Sequence, residues 1–151
     1  MVALRRIYER GGSVVSHEQF MKTFDGEVYR AHRYGMTVSL IVADVPGPSA
    51  RAIEDFERFV ETQLRRTDIG ATLRTGVHAL CLPHTDTRGA NEVAERLKDA
   101  LPKAIVAVVV RFPDDQSTPE DMLNAAVQWC FVRQRRKMAR PSSDKGSVLT
   151  R

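Results

Sequence analysis

The chain has 151 residues, 42% of them hydrophobic, which suits one domain with a real core. No apolar run approaches the roughly 20 residues needed to cross a bilayer, and the amino terminus Met1-Val-Ala-Leu-Arg-Arg lacks the apolar stretch of a secretory signal, so a cytoplasmic location is expected. The two cysteines, Cys81 and Cys130, both lie in apolar segments and read as buried free thiols of a reducing compartment rather than as a disulfide framework.

Residues 1–15 contain Gly11-Gly12 and no clear period, and read as a connector. Ser16 with Gln19 resembles a capping box, and Phe20, Phe24 and Val28 recur every fourth residue, so a helix is expected over 16–33, stopped by Tyr34-Gly35. Val38 to Val45 is a β-branched apolar run, the mark of a strand covered on both faces. Pro46-Gly47-Pro48 ends it. Ile53, Phe56, Phe59, Val60 and Leu64 then mark an amphipathic helix over 49–66.

Two short strands follow, over 69–74 and 77–83, joined at Thr75-Gly76, a plausible hairpin turn. Val93, Ala94, Leu97 and Leu101 line one face of a helix over 87–101, and Ile105 to Phe112 is a second buried-type strand. Thr118, Pro119 and Asp121 form a strong helix start. That last helix is expected to run to 138 and to bury Met122, Ala126 and Trp129. Residues 139–151, polar and rich in Pro and Ser, read as a disordered tail. The order α, β, α, β, β, α, β, α implies an α/β (α+β) fold with one mixed sheet and helices packed on it.

The net charge of +4 is unevenly spread, since Arg133 to Arg140 carries five positive charges. The run reads as the solvated end of a helix. With no aromatic residues seen interleaved to stack bases, a nucleic-acid polymer is not an expected partner. His17, His32, His78 and His84 lack metal-ligand spacing and read as surface or loop groups, with His78 in a position to pack; no metal site and no cofactor is expected.

One short stretch carries the functional signal. Arg65-Arg66-Thr67-Asp68 reads R-x-x-D, and six residues after Asp68 the chain reads Arg74-Thr75-Gly76-Val77-His78. Around it stand Glu27-Val-Tyr-Arg-Ala-His-Arg-Tyr-Gly35, Ser39-Leu-Ile-Val-Ala-Asp44-Val, Ala79-Leu-Cys-Leu-Pro-His-Thr-Asp86, Ala94-Glu-Arg-Leu97 and Thr118-Pro-Glu-Asp-Met-Leu123. In order and spacing these resemble a GGDEF domain, the catalytic fold of bacterial diguanylate cyclases, over residues 16–137. The resemblance implies a nucleotidyl-cyclase-like mixed sheet with a ferredoxin-like βαββαβ core, here spanning 16–138.

The resemblance also implies what is missing. Cyclisation of GTP in that family needs two divalent metals held by carboxylates. Asp44 matches the first metal-ligating Asp, but Val77 stands at the hairpin's acidic position and Pro46 at the second Asp of D-x-D; a valine offers no oxygen to a hard cation. Arg74 and Thr75 replace the hairpin glycines and would fill the substrate space. The implied molecule is not an enzyme. By contrast, Arg65 and Asp68 match the R-x-x-D of the family's inhibitory site, which binds cyclic di-GMP, and Arg96 lies where the family often contacts the same ligand. A guanidinium can address guanine's Hoogsteen edge or a phosphate, and a carboxylate can accept from guanine N–H groups. At i, i+3 on a helix end the two would point the same way. Arg133 and Lys137 match phosphate-binding positions of the family and read as a solvated helix face once the pocket is lost. The expectation is therefore a cyclic di-GMP receptor that relays binding to a partner protein or to a homodimer. The competing expectation is a scaffold that binds no nucleotide and uses the fold only for protein–protein contact, and an isolated R-x-x-D is often no more than an exposed ion pair.

Overall fold

The computed structural model describes residues 11–47, 49–139 and 149–150. The elements are β1 (Ser13–Val14), α1 (His17–Tyr34), β2 (Val38–Asp44), α2 (Ala50–Gln63), β3 (Ile69–Arg74), β4 (Val77–Pro83), α3 (Thr87–Ala100), β5 (Ile105–Arg111), α4 (Pro119–Ala139) and β6 (Leu149–Thr150). They build one sheet in the order β1-β3-β4-β2-β5-β6. β2 lies antiparallel between β4 and β5, and β3 pairs antiparallel with β4, which gives β2-α2-β3-β4-α3-β5 the ferredoxin-like arrangement. The expected fold class stands.

Strict alternation along the central strands sorts the core into two layers. Ile41, Ala43, Leu80, Leu82, Val106 and Val108 meet α2 and α3 through Phe56, Phe59, Val60, Ala94 and Leu97. Leu40, Val42, Ala79, Cys81 and Ala107 meet α1 and α4 on the other face through Phe20, Phe24, Met122, Ala126 and Cys130. Both cysteines are buried and free. The helix starts follow their side chains. Gln19 N donates to Ser16 Oγ at 3.1 Å, while the Gln19 side chain turns forward to Thr23. At α4 the box closes both ways, Asp121 N to Thr118 Oγ1 at 3.1 Å and Thr118 N to Asp121 Oδ2 at 3.3 Å. Gly35 ends α1 in the left-handed region at φ 69°.

Three differences from the sequence expectation bear on the site. α2 stops at Gln63, three residues early, because Leu64 turns extended (φ −102°, ψ 165°) to bury its side chain. Arg65 and Asp68 thus lie beyond the helix, in a tight turn closed by Asp68 N to Arg65 O at 2.9 Å, and not on a helix end. Second, Ser13–Val14 form a parallel strand beside β3, so that Ser13 N donates to Asp68 O at 3.2 Å; the rest of the expected connector, 1–10, lies outside the described residues. Third, Leu149–Thr150 pair with Ala107 and Val108 on the open edge of β5. The remainder of the expected tail, 140–148 and Arg151, lies outside the described residues.

Candidate functional site

The turn between α2 and β3 holds its arginine with unusual completeness. The carboxylate of Asp68 accepts from Arg65 N at 2.9 Å, from Nε at 3.3 Å and from Nη2 at 3.1 Å. Nη2 also donates to Pro83 O at 2.8 Å and to Thr85 Oγ1 at 2.7 Å. Thr85 is itself fixed, since its hydroxyl donates to Pro83 O and its carbonyl accepts from Ser39 Oγ at 2.6 Å. A chain of hydrogen bonds therefore runs from β2 through the exit of β4 to the turn. Asp68 is only 2% exposed, whereas the Arg65 side chain is 51% exposed and, among the described residues, makes no bond through Nη1.

Asp68 bonds Arg65 through both carboxylate oxygens and so holds the guanidinium in place beside the cleft it also lines. Arg65 faces a cleft of about 510 Å³ lined by Asp68, Thr85, His84, Asp86, Glu92 and Arg96, among others. Arg96, exposed on α3, brings a second guanidinium to the same cleft, and among the described residues it has no bonded partner. Arg65, Asp68 and Arg96 are thus brought together. The sequence reading missed Thr85 and Glu92. Thr85 could have been found from its place between a strand exit and Asp86, the N-cap that accepts from Gly89 N at 2.9 Å. Glu92 is one helical turn before Arg96.

The hairpin is the second region of interest. Thr75-Gly76 make the turn, with Gly76 at φ 78° and Leu73 bulged out of the β3–β4 ladder. Val45 N donates to Gly76 O at 2.7 Å, which ties the tip to the end of β2. Val77 stands directly opposite Asp44, so the two share a face, with buried Val77 where the resemblance expects an acid. Burial pushes the Asp44 carboxyl above its usual range, against the opposing charge of Arg74 and a hydrogen bond with Gln134. A cleft of about 530 Å³ remains between the β2–α2 loop and the hairpin, lined by Gly47, Ser49, Ala50, Ile53, Arg74 and Gly76 among others. Arg74 and Thr75 both line it.

Two further expectations are revised. His78 is 1% exposed, stacked on Phe56 at 4.7 Å, with Nδ1 2.8 Å from Thr72 Oγ1 and Nε2 without a hydrogen-bond partner. It is a core group and no surface histidine, and burial pushes its pKa below the ordinary value. Its place in the otherwise apolar run Val77–Pro83 was the available signal. On α4, Trp129 is half-buried with Arg133 5.6 Å over its ring, and Arg135 lies 5.8 Å over exposed Phe131. The basic run does have aromatic company, from the turn before it. The side chain of Lys137 lies outside the described residues.

Neither a family model nor a curated protein matches this chain. Solved structures do. The chain is similar to the diguanylate cyclase SiaD of Pseudomonas aeruginosa, solved with its activator SiaC, at TM-score 0.68 and 18% identity over 89% of this chain. It is equally similar in shape, TM-score 0.68, to a sensory box/GGDEF family protein from Caulobacter crescentus, at 14% identity over 81% of this chain and 94% of that one. The GGDEF domain of Caulobacter crescentus DgcB, solved in complex with c-di-GMP, superposes at TM-score 0.62 and 14% identity over 82% of this chain and 84% of that one. The chain has the GGDEF fold. It spans 61% of the SiaD chain. Among the described residues no helix of this GGDEF fold is long and apolar enough to cross a membrane, and no cluster of three or more His, Cys, Asp or Glu is placed to hold a metal ion.

Proposed function

We propose that the protein is a non-catalytic GGDEF domain that binds cyclic di-GMP in the cleft between the Arg65 turn and α3, and that occupancy alters its contact with a partner protein or a second copy. The observation that carries this reading is the fixed guanidinium. Asp68, Pro83 and Thr85 hold Arg65 by Nε and Nη2, Nη1 makes no bond among the described residues, and Arg65 and Arg96 line one cleft. A preset fork loses little freedom on binding and can address a guanine O6/N7 edge or a phosphodiester. Because Asp68 is occupied, the acceptor for guanine N–H groups is Glu92, which lines the same cleft. Similarity to a GGDEF domain solved with c-di-GMP supports the ligand class. The absence of catalysis is supported by Val77 beside Asp44, which leaves one carboxylate where two metals need several.

Calorimetry with cyclic di-GMP tests the reading. Binding is expected at ligand concentrations on the order of tens of micromolar, weakened at least about tenfold by Arg65→Ala and by Arg96→Ala. No heat in that range, or wild-type affinity in both variants, defeats it. Product formed from GTP and magnesium would defeat the non-catalytic part.

One observation favours the scaffold reading. Asp68, Pro83 and Thr85 satisfy Nε and Nη2 of Arg65, so the R-x-x-D pair has a structural reason to exist without a ligand. On that reading a partner protein is retained equally by wild type and by Arg96→Ala, and cyclic di-GMP has no effect on the retention.

A further inference from the structure

Two helix faces outside the Arg65 cleft complement each other; of their residues, Ile53 also borders the cleft beside the hairpin. On α4, Phe131 (51% exposed), Val132, Arg135 and Arg136 stand in solvent. On α2, Ile53 (40% exposed), Glu54 and Glu61 are exposed and Glu57 is half-buried. Residues four apart share a stripe of a helix. On α4 an apolar side chain is followed four residues on by a cation, Phe131 by Arg135 and Val132 by Arg136. On α2 the step is the same with the opposite charge, Ile53 by Glu57 and then Glu61. Among the described residues Arg136, Glu54, Glu57 and Glu61 have no ion-pair partner, and Arg135 meets only the Phe131 ring. The imbalance extends beyond the stripes. α2 carries four acids and two arginines, while Phe131–Lys137 carries four cations and no acid.

α2 and α4 pack on opposite faces of the sheet, so the two stripes of one molecule cannot meet. We propose that the α4 stripe of one copy docks on the α2 stripe of a second copy, Phe131 and Val132 against Ile53, Arg135 and Arg136 against Glu57 and Glu61. A basic patch alone would suit any polyanion. The matching acidic and apolar stripe on this same chain is what selects a second copy. The contact joins two different surfaces, so it leaves a free stripe at each end and does not close at two copies. Both stripes are small and half solvated, which makes the association weak and salt-sensitive.

Sedimentation velocity up to about 1 mM protein, in about 10 mM and about 1 M salt, reads the association directly. Wild type is expected to form species growing past the dimer with concentration at low salt, and to dissociate at high salt. The reversals Arg135→Glu/Arg136→Glu and Glu57→Lys/Glu61→Lys are each expected to remain monomeric, because each then sets like charge against like. Mixed together, the two variants present opposite charges at both contacts, and association returns. That recovery also shows that each variant is folded. A wild type that stays monomeric at low salt, an association that survives the reversals, one that stops at the dimer, or a mixture that fails to associate would each overturn the proposal.

Discussion

If Asp68 serves to hold Arg65, removing it is a stability experiment before it is a binding experiment. Asp68→Ala takes away the acceptor of three hydrogen bonds at 2.9, 3.1 and 3.3 Å. Hydrogen bonds to charged groups are worth about 1.5–3 kcal/mol each when buried. The Arg65 side chain is 51% exposed, so water replaces part of what its guanidinium loses. The bond from the backbone donor Arg65 N is part-buried. The net cost is therefore about 2 kcal/mol, which lowers the melting temperature by roughly 4–8 °C for a chain of this size. Arg65→Ala leaves the carboxylate at 2% exposure with a single donor and costs a similar amount. Since the two residues touch, the double variant should fall short of the sum by about 1 kcal/mol. Urea denaturation of the four proteins closes the cycle. A cost below about 0.5 kcal/mol for Asp68→Ala, or additivity within that margin, would show that the clasp contributes nothing and would return Asp68 to a ligand-facing role. Arg96→Ala is the control. It has no partner to lose and should leave stability unchanged while weakening cyclic di-GMP.

Three other outcomes follow from the same geometry. Burial holds the His78 pKa below its unfolded value of about 6.5, so the unfolded chain binds the extra proton and stability falls as pH drops below that value. Denaturation midpoints between about pH 7 and 5 should show that loss, and His78→Gln should remove its slope; an unchanged slope places the acid sensitivity elsewhere. Gly76→Ala sets a Cβ 2.7 Å from Val45 O at a φ of +78°, and should cost about 1–3 kcal/mol in thermal melts. A neutral substitution there would mean that the hairpin tip is not tied to β2. Cys130, pushed up to about 12 by burial, and Cys81, raised further for the same reason, should resist a thiol reagent at about pH 8 until the chain is unfolded; labelling of the native protein would contradict their placement in the core.

What the sequence made legible was whatever rests on local repetition. The runs Val38–Asp44 and Ile105–Arg111, the every-fourth phenylalanines of α1 and the Thr118–Asp121 box each declare an element within a few residues, and the structure holds them within one or two positions. The end of α2 was misjudged because Leu64 continues the apolar period of the helix, yet its side chain is buried by an extended turn. β1 escaped notice because two residues show no period; it exists through its pairing to β3, a partner more than fifty residues away. The candidate site follows the same rule. Arg65 and Asp68 were visible as a pair, but which of them faces outward depends on Pro83 and Thr85, which only the β4 exit brings near. His78 shows the reverse case, a polar residue whose apolar neighbours in sequence already indicated burial.

The two clefts also separate shape from chemistry in a way the motif alone did not. Arg74 and Thr75 at the hairpin tip line a cavity of about 530 Å³ that Asp44 does not border. A bound triphosphate with two divalent metals draws on several carboxylates. Burial raises the Asp44 carboxyl above its ordinary value, opposed by the charge of Arg74 from the same chain and by a hydrogen bond with Gln134. Val77, in register with Asp44, turns the neighbouring position over to the apolar layer with Phe20, Phe24 and Met122. An acid placed there, as in Val77→Asp, would set a second carboxylate into that layer beside one whose pKa burial already raises. Like charges on a half-buried face raise each other's pKa, and with no metal bound the substitution should destabilise the fold before it recruits a cation.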